Sequence, residues 1–141
     1  MIRTVSLFML LLIVASPAVA MKPAWATDVF FSANSDVIEQ VEAQRLASAL
    51  PSVPARFSCA SGTWIVIGHA DPNEGSSKET TALSERRARA VAVAASMRSA
   101  GIPDQDLDVA SKGSTQPVAK PPHHHNRRVE IEYAPCEKAG G

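Results

Sequence analysis

The sequence lacks an excess of charge of either sign and has few aromatic side chains. Its 141 residues carry 14 Lys and Arg against 14 Asp and Glu, so the formal net charge at pH 7 is zero. A nucleic-acid-binding domain normally carries a basic surplus. Bases and sugars are commonly held by stacking on aromatic rings, of which this chain has four Phe, two Trp and one Tyr. We therefore expect no nucleic acid among its partners.

Cysteine is also scarce, and no serine or cysteine lies in a recognisable nucleophile motif. The two cysteines are Cys59 and Cys136. The hydrophobic fraction of 45% and the charged fraction of 20% are typical of a single globular domain at this length. No motif in the sequence therefore points to a catalytic nucleophile, and we expect no cofactor.

The N-terminal segment has the pattern of an export signal. Arg3 precedes an almost wholly apolar run at residues 5–14, and residues 16–20 then give a small-x-small cleavage pattern. We predict a signal peptide at residues 1–20, with cleavage after residue 26 as the alternative. The apolar run is short for a membrane span of roughly 20 residues, so we expect no stable span after cleavage. No cysteine lies near either cleavage site, and a lipid anchor is therefore not expected.

The mature chain predicts strands and helices in the order β-α-β-α-β-β. The strands are predicted at residues 28–32, 63–68, 107–112 and 127–133, and the helices from Asp36 to Pro51 and from Ser84, or slightly earlier at Thr81, to about residue 100. Asp36 and Glu39 have the spacing of a capping box. Proline disfavours helical geometry in the residue before it, so Pro51 should end the first helix and begin a loop at residues 51–61. Gly101 fits the position just past the second helix.

An acid and a base lie at the carboxyl end of the central predicted strand. Asp71 follows that strand, and Arg87 lies in the next helix at four-residue steps from Leu83 and Val91, on or beside the buried stripe. A buried guanidinium needs an anionic partner, and the strand-end crevice is a common ligand position. Spacing alone leaves two alternatives open. The pair could grip the ammonium and carboxylate of one zwitterion, or the two side chains could pair with each other.

Four motifs give the chain a resemblance to a known family. They are GHAD at 68–71, LSERRA at 83–88, GI at 101–102 and NRRVEI at 126–131. In this order and spacing the sequence resembles the OmpA-like (OmpA/MotB C-terminal) peptidoglycan-associating family, over nearly all of the mature chain. The resemblance implies an α+β fold, a two-layer α/β sandwich with a mixed four-stranded sheet and helices packed on one face. It also implies that the last strand runs antiparallel beside the central one. The domain would span residues 27–136, followed by a short tail at 137–141.

The resemblance also implies a function and a site. Members bind the diaminopimelate of the peptidoglycan stem peptide without catalysis, so Asp71 would hold the ligand ammonium and Arg87 the carboxylate. Ala70 and Thr80 would be secondary contacts, although the family usually has Thr and Asn there, and Arg127 would be a third. The loop after Asp71 is one residue longer than usual. The implied location is the periplasm, at the cell wall or outer membrane.

Two alternative functions stay open beside this one. The first is an adaptor of the same fold that binds a protein partner in an envelope complex, which the departures at Ala70 and Thr80 favour. The second, less favoured, is a metal-dependent or wall-modifying enzyme that uses His69, Asp71 and the histidines at 123–125. The family topology also implies a disulfide between Cys59 and Cys136, because antiparallel neighbouring strands would bring the two thiols together. Two free thiols are the alternative, disfavoured in an exported chain.

Three consecutive histidines lie in a predicted loop at residues 113–126. Histidine clusters bind transition metals. However, adjacent side chains of an extended loop point in alternating directions, and no nearby cysteine or carboxylate completes a recognisable metal spacing. We therefore expect a solvated loop and no metal. Asn126 is expected to shape this loop, and Arg128 to be a surface charge.

Overall fold

A computed structural model describes residues 23–57, 62–98, 102 and 107–135. The strands are β1 (Trp25–Phe30), β2 (Thr63–Gly68), β3 (Leu107–Ser111) and β4 (Arg128–Ala134), and the α-helices are α1 (Gln40–Ala49), α2 (Val53–Arg56) and α3 (Ser77–Arg98). Short 3-10 turns lie at Leu50–Ser52, Pro72–Glu74 and His124–Asn126. The predicted order of strands and helices is confirmed, with the one-turn helix α2 in addition.

The four strands form one mixed sheet in the order β1-β4-β2-β3. The strands β2 and β3 run parallel, as a helical crossover through α3 requires. The last strand, β4, lies antiparallel between β1 and β2, so Ile131 faces Thr27 on one side and Val66 on the other. Both the α+β fold class and the antiparallel placement of the last strand beside the central one are confirmed.

The core lies between one face of the sheet and the helices. Val129, Ile131 and Tyr133 alternate along β4 and are fully buried, as their period of two predicts. They belong to one apolar cluster with Leu46 of α1 and Val91 of α3. On the opposite face of β2, Ile65 and Ile67 are only partly buried. The helices therefore cover only one face of the sheet.

The start of α1 and the segment that follows it differ from the predictions. The residue before α1 is Glu39, which makes no side-chain cap, so the predicted capping box of Asp36 and Glu39 is wrong. The predicted end of the first helix at Pro51 is confirmed, because α1 ends at Ala49. The loop predicted from residue 51 is wrong at its start, because Pro51 and Pro54 lie in the first turns of a 3-10 turn and of α2. A proline is tolerated there because the first amides of a helix have no intrahelical acceptor.

Helix α3 begins at Ser77, well before the predicted start. Ser84 is therefore an interior residue, and its hydroxyl donates to the carbonyl of Thr81 at 2.8 Å. The first strand begins at Trp25, three residues early, because its ladder with β4 extends to the pair Trp25 and Tyr133. Sequence periodicity missed both starts because polar or tertiary contacts set them.

Several predictions concern residues outside the described part of the chain. The signal segment at residues 1–20, Gly101 and both cysteines of the expected disulfide, Cys59 and Cys136, lie there. The strand residues nearest to the cysteines, Thr63 and Ala134, are paired in the sheet. Within the described ranges, no helix has the length and apolar character needed to cross a membrane.

Candidate functional site

The turn that follows β2 is a capping box built from Asp71 and Glu74. The Asp71 Oδ1 accepts a hydrogen bond from the amide of Asn73 at 2.8 Å, and Glu74 Oε1 accepts one from the amide of Asp71 at 2.8 Å. Pro72 at the first position has no amide to satisfy. This D-x-x-E pattern has the reciprocal form of a capping box. It fixes both carboxylates at the carboxyl end of β2.

Arg87 reaches this turn from α3 and is completely buried. Its donors meet the carbonyl oxygens of Ser32 (3.2 Å), Ser35 (2.8 Å) and His69 (3.2 Å) and both carboxylate oxygens of Glu74 (2.8 and 2.5 Å). These five contacts use all five N–H groups of a guanidinium. The ring of Phe31 lies 5.3 Å from the guanidinium carbon and covers it. Arg87 is therefore fully satisfied within the chain.

The anionic partner of Arg87 is Glu74, which the sequence analysis did not identify. Among the described residues, Arg87 forms its salt bridge with Glu74, so the alternative in which Asp71 and Arg87 pair with each other is wrong. The side chains of Arg87 and Glu74 are 0% and 4% exposed, so their charges are shielded from water. Two signals in the sequence pointed to Glu74: its spacing of three from Asp71, and the need of Arg87 for an anion.

Burial alone would raise the pKa of Glu74. The hydrogen bonds from Arg87 and from the amides of Asp71 and Asn34, with the charge of Arg87, outweigh burial and hold that pKa below its ordinary value. The Asn34 amide donates to Glu74 Oε2 at 2.8 Å, from a residue with a φ of 57°. Asparagine tolerates this left-handed conformation better than most residues. Glu74 is therefore ionised at neutral pH.

Asp71 is the second buried carboxylate, with 1% of its surface exposed. Its Oδ2 accepts hydrogen bonds from the amide of His123 at 2.9 Å and from the side chain of Asn126 at 2.8 Å. Burial raises the pKa of Asp71, but the hydrogen bonds from Asn126, Asn73 and His123, helped by the charge of Arg127, lower it overall. The carboxylate is thus held ionised without a salt-bridge partner of its own in the described part of the chain.

Asn126 ties Asp71 to the long loop before β4. Its Oδ1 accepts the amides of Val118 and Ala119 at 2.9 and 3.0 Å, and its Nδ2 donates to Asp71 and to the carbonyl of Ala119. The expectation that Asn126 shapes this loop is confirmed. Its bond to Asp71 was missed, because it joins residues 55 positions apart.

The three residues predicted as secondary ligand contacts differ in their surroundings. Ala70 is buried, and its amide donates to the carbonyl of Gly113 at 2.8 Å. Thr80 is buried, and its hydroxyl bonds to Ser114 rather than to Asp71 or Arg87. Arg127 donates through Nε to the carbonyl of Phe31 at 2.9 Å and is partly exposed. Only Arg127 thus adds charge to the site.

Arg128 and His69 are buried and lie next to Glu130, in a polar group separate from Asp71 and Glu74. Arg128 is 4% exposed and contacts Glu130 Oε1 at 2.7 Å, so the prediction of a surface charge is wrong. His69 Nε2 lies 3.4 Å from the same oxygen, and neither ring nitrogen makes a hydrogen bond to a described residue. Burial and the charge of Arg128 lower the pKa of His69. The Oδ atoms of Asp71 bond to other groups, so no His69–Asp71 acid/base pair forms.

The three histidines converge instead of alternating. His124 and His125 lie on a 3-10 turn, His124–Asn126, that His123 directly precedes, and the ring centroids of the three histidines are 4.2–4.8 Å apart. The Nδ1 of His123 accepts the amide of His125 at 3.1 Å. The expectation of diverging side chains assumed an extended loop and is wrong, because a tight turn brings neighbouring rings to one side.

A surface groove of about 250 Å³ gives access to the Glu74 side of the site. Its lining consists of Asn34, Glu74, Glu79, Ala82, Leu83 and Arg86. Arg87 lies behind Glu74 and is not among the lining residues. A ligand that enters this groove therefore meets the carboxylate of Glu74 before the guanidinium.

The four-stranded sheet with its helices defines a small α+β domain, and two ionised carboxylates and a buried arginine lie at the end of its central strand. A sequence model of the OmpA family matches residues 30–130, and the chain belongs to that family. No curated protein matches the chain.

Solved structures show the same fold. The peptidoglycan-associated lipoprotein from Burkholderia pseudomallei is 25% identical with a TM-score of 0.64, and the match covers 76% of this chain and 89% of that one. The OmpA-like domain of FopA1 from Francisella tularensis subsp. tularensis SCHU S4 is 21% identical with a TM-score of 0.64, over 82% and 75% of the two chains. The periplasmic domain of Helicobacter pylori MotB is 24% identical with a TM-score of 0.62, over 76% and 68%.

Proposed function

We propose that this protein binds peptidoglycan non-covalently in the periplasm, through the diaminopimelate of the stem peptide. The observation that supports it best is the turn at the carboxyl end of β2, where Asp71 is held ionised and its amide donates to Glu74, the partner of Arg87. Membership of the OmpA family and the 25% identity with a peptidoglycan-associated lipoprotein add to this support. The proposed role is binding alone, without catalysis.

In this proposal Asp71 receives the ligand ammonium. A carboxylate has about four acceptor positions, and Asp71 uses three of them, two on Oδ2 and one on Oδ1. One acceptor position on Oδ1 is thus left for an ammonium. Because Asp71 is 1% exposed, the ligand reaches it only when the turn at Pro72–Glu74 or the loop before β4 shifts.

Arg87 receives the ligand carboxylate by exchange with Glu74. Glu74 contacts the guanidinium through both oxygens, which is the bidentate geometry that a ligand carboxylate would adopt. One carboxylate would replace another, so the net gain at Arg87 is small. A charge-assisted hydrogen bond at Asp71 is worth about 1.5–3 kcal/mol. We therefore expect weak binding of a free stem peptide, with retention on the wall coming from the density of identical sites.

A second candidate is an adaptor of the same fold that binds a protein partner. The observation that favours it is the saturation of Arg87 by Glu74, together with the departures at Ala70 and Thr80. An arginine fully satisfied inside the chain has no need of a ligand anion. The adaptor and the wall-binding protein differ in one simple property, which is retention on purified sacculi.

The periplasmic location rests on the proposed signal peptide. Trp25 belongs to β1, pairs with Tyr133 and packs its ring against Trp64 at 6.0 Å. Cleavage after residue 26 would remove Trp25 from the sheet, so we propose cleavage after residue 20. N-terminal sequencing of the secreted protein tests this directly.

Sedimentation with purified sacculi tests the proposal. The mature chain should pellet with sacculi, and free diaminopimelate should release it. Asp71→Asn should weaken retention at least about tenfold, the loss of one charge-assisted bond. Arg87→Ala should weaken retention less, because a ligand carboxylate would only replace Glu74 at the guanidinium. The matched controls are Asp108→Asn and Arg89→Ala, which change exposed residues of the same types.

Folding of each variant is checked by circular dichroism, because Arg87→Ala opens the buried core. If the mature chain stays in the supernatant, wall binding is excluded and the adaptor is favoured. If it pellets but Asp71→Asn pellets equally well, binding to sacculi stands and the proposed diaminopimelate site is wrong.

A further inference from the structure

We propose that His123, His124 and His125 form a binding site for a divalent transition-metal ion of the class that imidazole prefers, such as Zn²⁺, Ni²⁺ or Cu²⁺. One ring nitrogen from each histidine lies within 4.8 Å of the other two. The ring centroids of the three pairs are 4.5, 4.8 and 4.2 Å apart. This proposal is independent of the proposed binding of peptidoglycan.

The backbone holds the three rings on one side of the loop. The amide of Asn126 donates to the carbonyl of His123 at 3.0 Å, and that of Arg127 to the carbonyl of His124 at 3.1 Å. His123 is itself fixed, because its amide donates to the buried carboxylate of Asp71. The cluster is therefore attached to an ordered network and does not depend on a chance arrangement of surface side chains.

The distances require only a small adjustment. Zinc binds histidine nitrogens at about 2.0–2.1 Å in a tetrahedral site, so two such nitrogens lie about 3.4 Å apart. The structure has them within 4.8 Å. His124 and His125 are exposed, so rotation of their side chains can close the difference without disturbing the core.

The ligand set predicts an open coordination position. No Cys, Asp or Glu in the described part of the chain joins the three histidines as a fourth ligand. Water would complete the coordination, as in zinc sites that have three protein ligands. Coordination by His123 through either nitrogen would also end the hydrogen bond that its Nδ1 accepts from His125. We therefore expect moderate affinity, in the micromolar range.

Metal binding would also affect the loop that bonds to Asp71. His123 and Asn126 are the two residues of this loop that donate to Oδ2 of Asp71. An ion that fixes the turn between them would stiffen the loop that closes over Asp71. The predicted consequence is higher thermal stability in the presence of the metal, which can be measured without any peptidoglycan.

Titration of the mature chain with Zn²⁺ tests the site, using isothermal calorimetry in a non-reducing buffer. We expect one ion per chain. The double variant His124→Asn with His125→Asn retains the His123 amide that bonds Asp71, and it should bind at least tenfold more weakly. Val118→Ala is the matched control, because it alters an exposed side chain of the same loop that offers no ligand atom.

A second readout identifies the ligands. In proton NMR spectra, Zn²⁺ should shift the imidazole signals of the three clustered histidines and leave those of the buried His69 unchanged. Zn²⁺ should also raise the melting temperature of the mature chain but not that of the double variant. The proposal is overturned if the double variant binds as tightly as the mature chain, or if no imidazole signal of the cluster responds.

Discussion

Replacing Glu74 by Gln tests whether the buried ion pair with Arg87 holds this part of the fold. The substitution keeps the size of the side chain and removes its charge. Arg87 is 0% exposed and the Glu74 side chain 4%, so the remaining guanidinium cannot recover its hydration. Losing one partner of a buried pair costs about 3–5 kcal/mol. Glutamine keeps one acceptor oxygen, and Arg87 keeps three carbonyl partners, so we expect a loss near the lower limit, about 3 kcal/mol.

Urea denaturation of the mature chain measures this loss through the fluorescence of its tryptophans, of which Trp64 is buried and lies 4.8 Å from the ring of Tyr133. A loss of about 3 kcal/mol corresponds to a fall in melting temperature of roughly 10 °C for a domain of this size. Glu85→Gln is the control, because it removes the same charge from an exposed pair with Arg89. That pair should contribute about 0.3–0.5 kcal/mol. If both variants lose equally little stability, the buried pair does not stabilise the fold as argued here.

The same variant separates the two candidate functions. A neutral amide binds a guanidinium less strongly than a carboxylate does. Under the exchange with Glu74 that we propose, Glu74→Gln makes Arg87 easier for a ligand carboxylate to reach. Retention on sacculi should then rise several-fold at a temperature at which the variant is folded. Unchanged retention would contradict the exchange at Arg87.

Three further predictions concern acid stability, close packing and the cysteines. Burial alone would raise the pKa of Glu74, but the guanidinium of Arg87 and the backbone amides that donate to Glu74 lower this pKa below the ordinary value of 4.5. The ionised Glu74 therefore contributes to the stability of the fold above pH 4.5, and this contribution is lost as the pH falls through the pKa of the folded state. The melting temperature should therefore decrease as the pH is lowered below about 4, and it should decrease less in Glu74→Gln. Gly68→Ala should cost at least about 3 kcal/mol in urea denaturation, because its Cβ would lie 1.9 Å from the carbonyl oxygen of Ser84; near-normal stability would contradict this. Non-reducing peptide mapping should find Cys59 linked to Cys136, and reduction should lower the free energy of unfolding by roughly 4 kcal/mol; alkylation of both thiols without reductant would disprove the link.

The strands were more predictable than the helix ends, for a physical reason. In β4, alternating apolar residues report the buried face directly, and Val129, Ile131 and Tyr133 are all fully buried. The start of α3 has no such signal, because its first turns are polar and Thr80 is buried through hydrogen bonds with Ser77 and Ser114. Periodicity detects apolar burial and misses polar burial.

The positions of Asp71 and Arg87 in the fold were predictable from the sequence, but their hydrogen-bond partners were not. Asp71 and Arg87 were placed correctly at the end of β2 and in α3, because motif order and helical spacing are properties of the sequence. Their partners come from elsewhere, since Asn126 lies 55 positions from Asp71. The role of Glu74 could have been predicted from its capping-box spacing with Asp71, but that pattern was assigned only to the earlier pair of Asp36 and Glu39. That pair failed because Glu39 itself precedes the helix.

The charges in the crevice determine which half of a zwitterion should contribute most to binding. Asp71 and Glu74 each carry a negative charge, because the pKa of both is lowered, and Arg87 carries a buried positive charge that is bonded to Glu74. The three side chains therefore leave one negative charge, and it resides on Asp71, which has no cation bonded to it among the described residues. An incoming ammonium neutralises this charge, whereas an incoming carboxylate must first displace Glu74. Binding to a zwitterion should thus depend more on Asp71 than on Arg87, and simple amines should compete better than simple carboxylates.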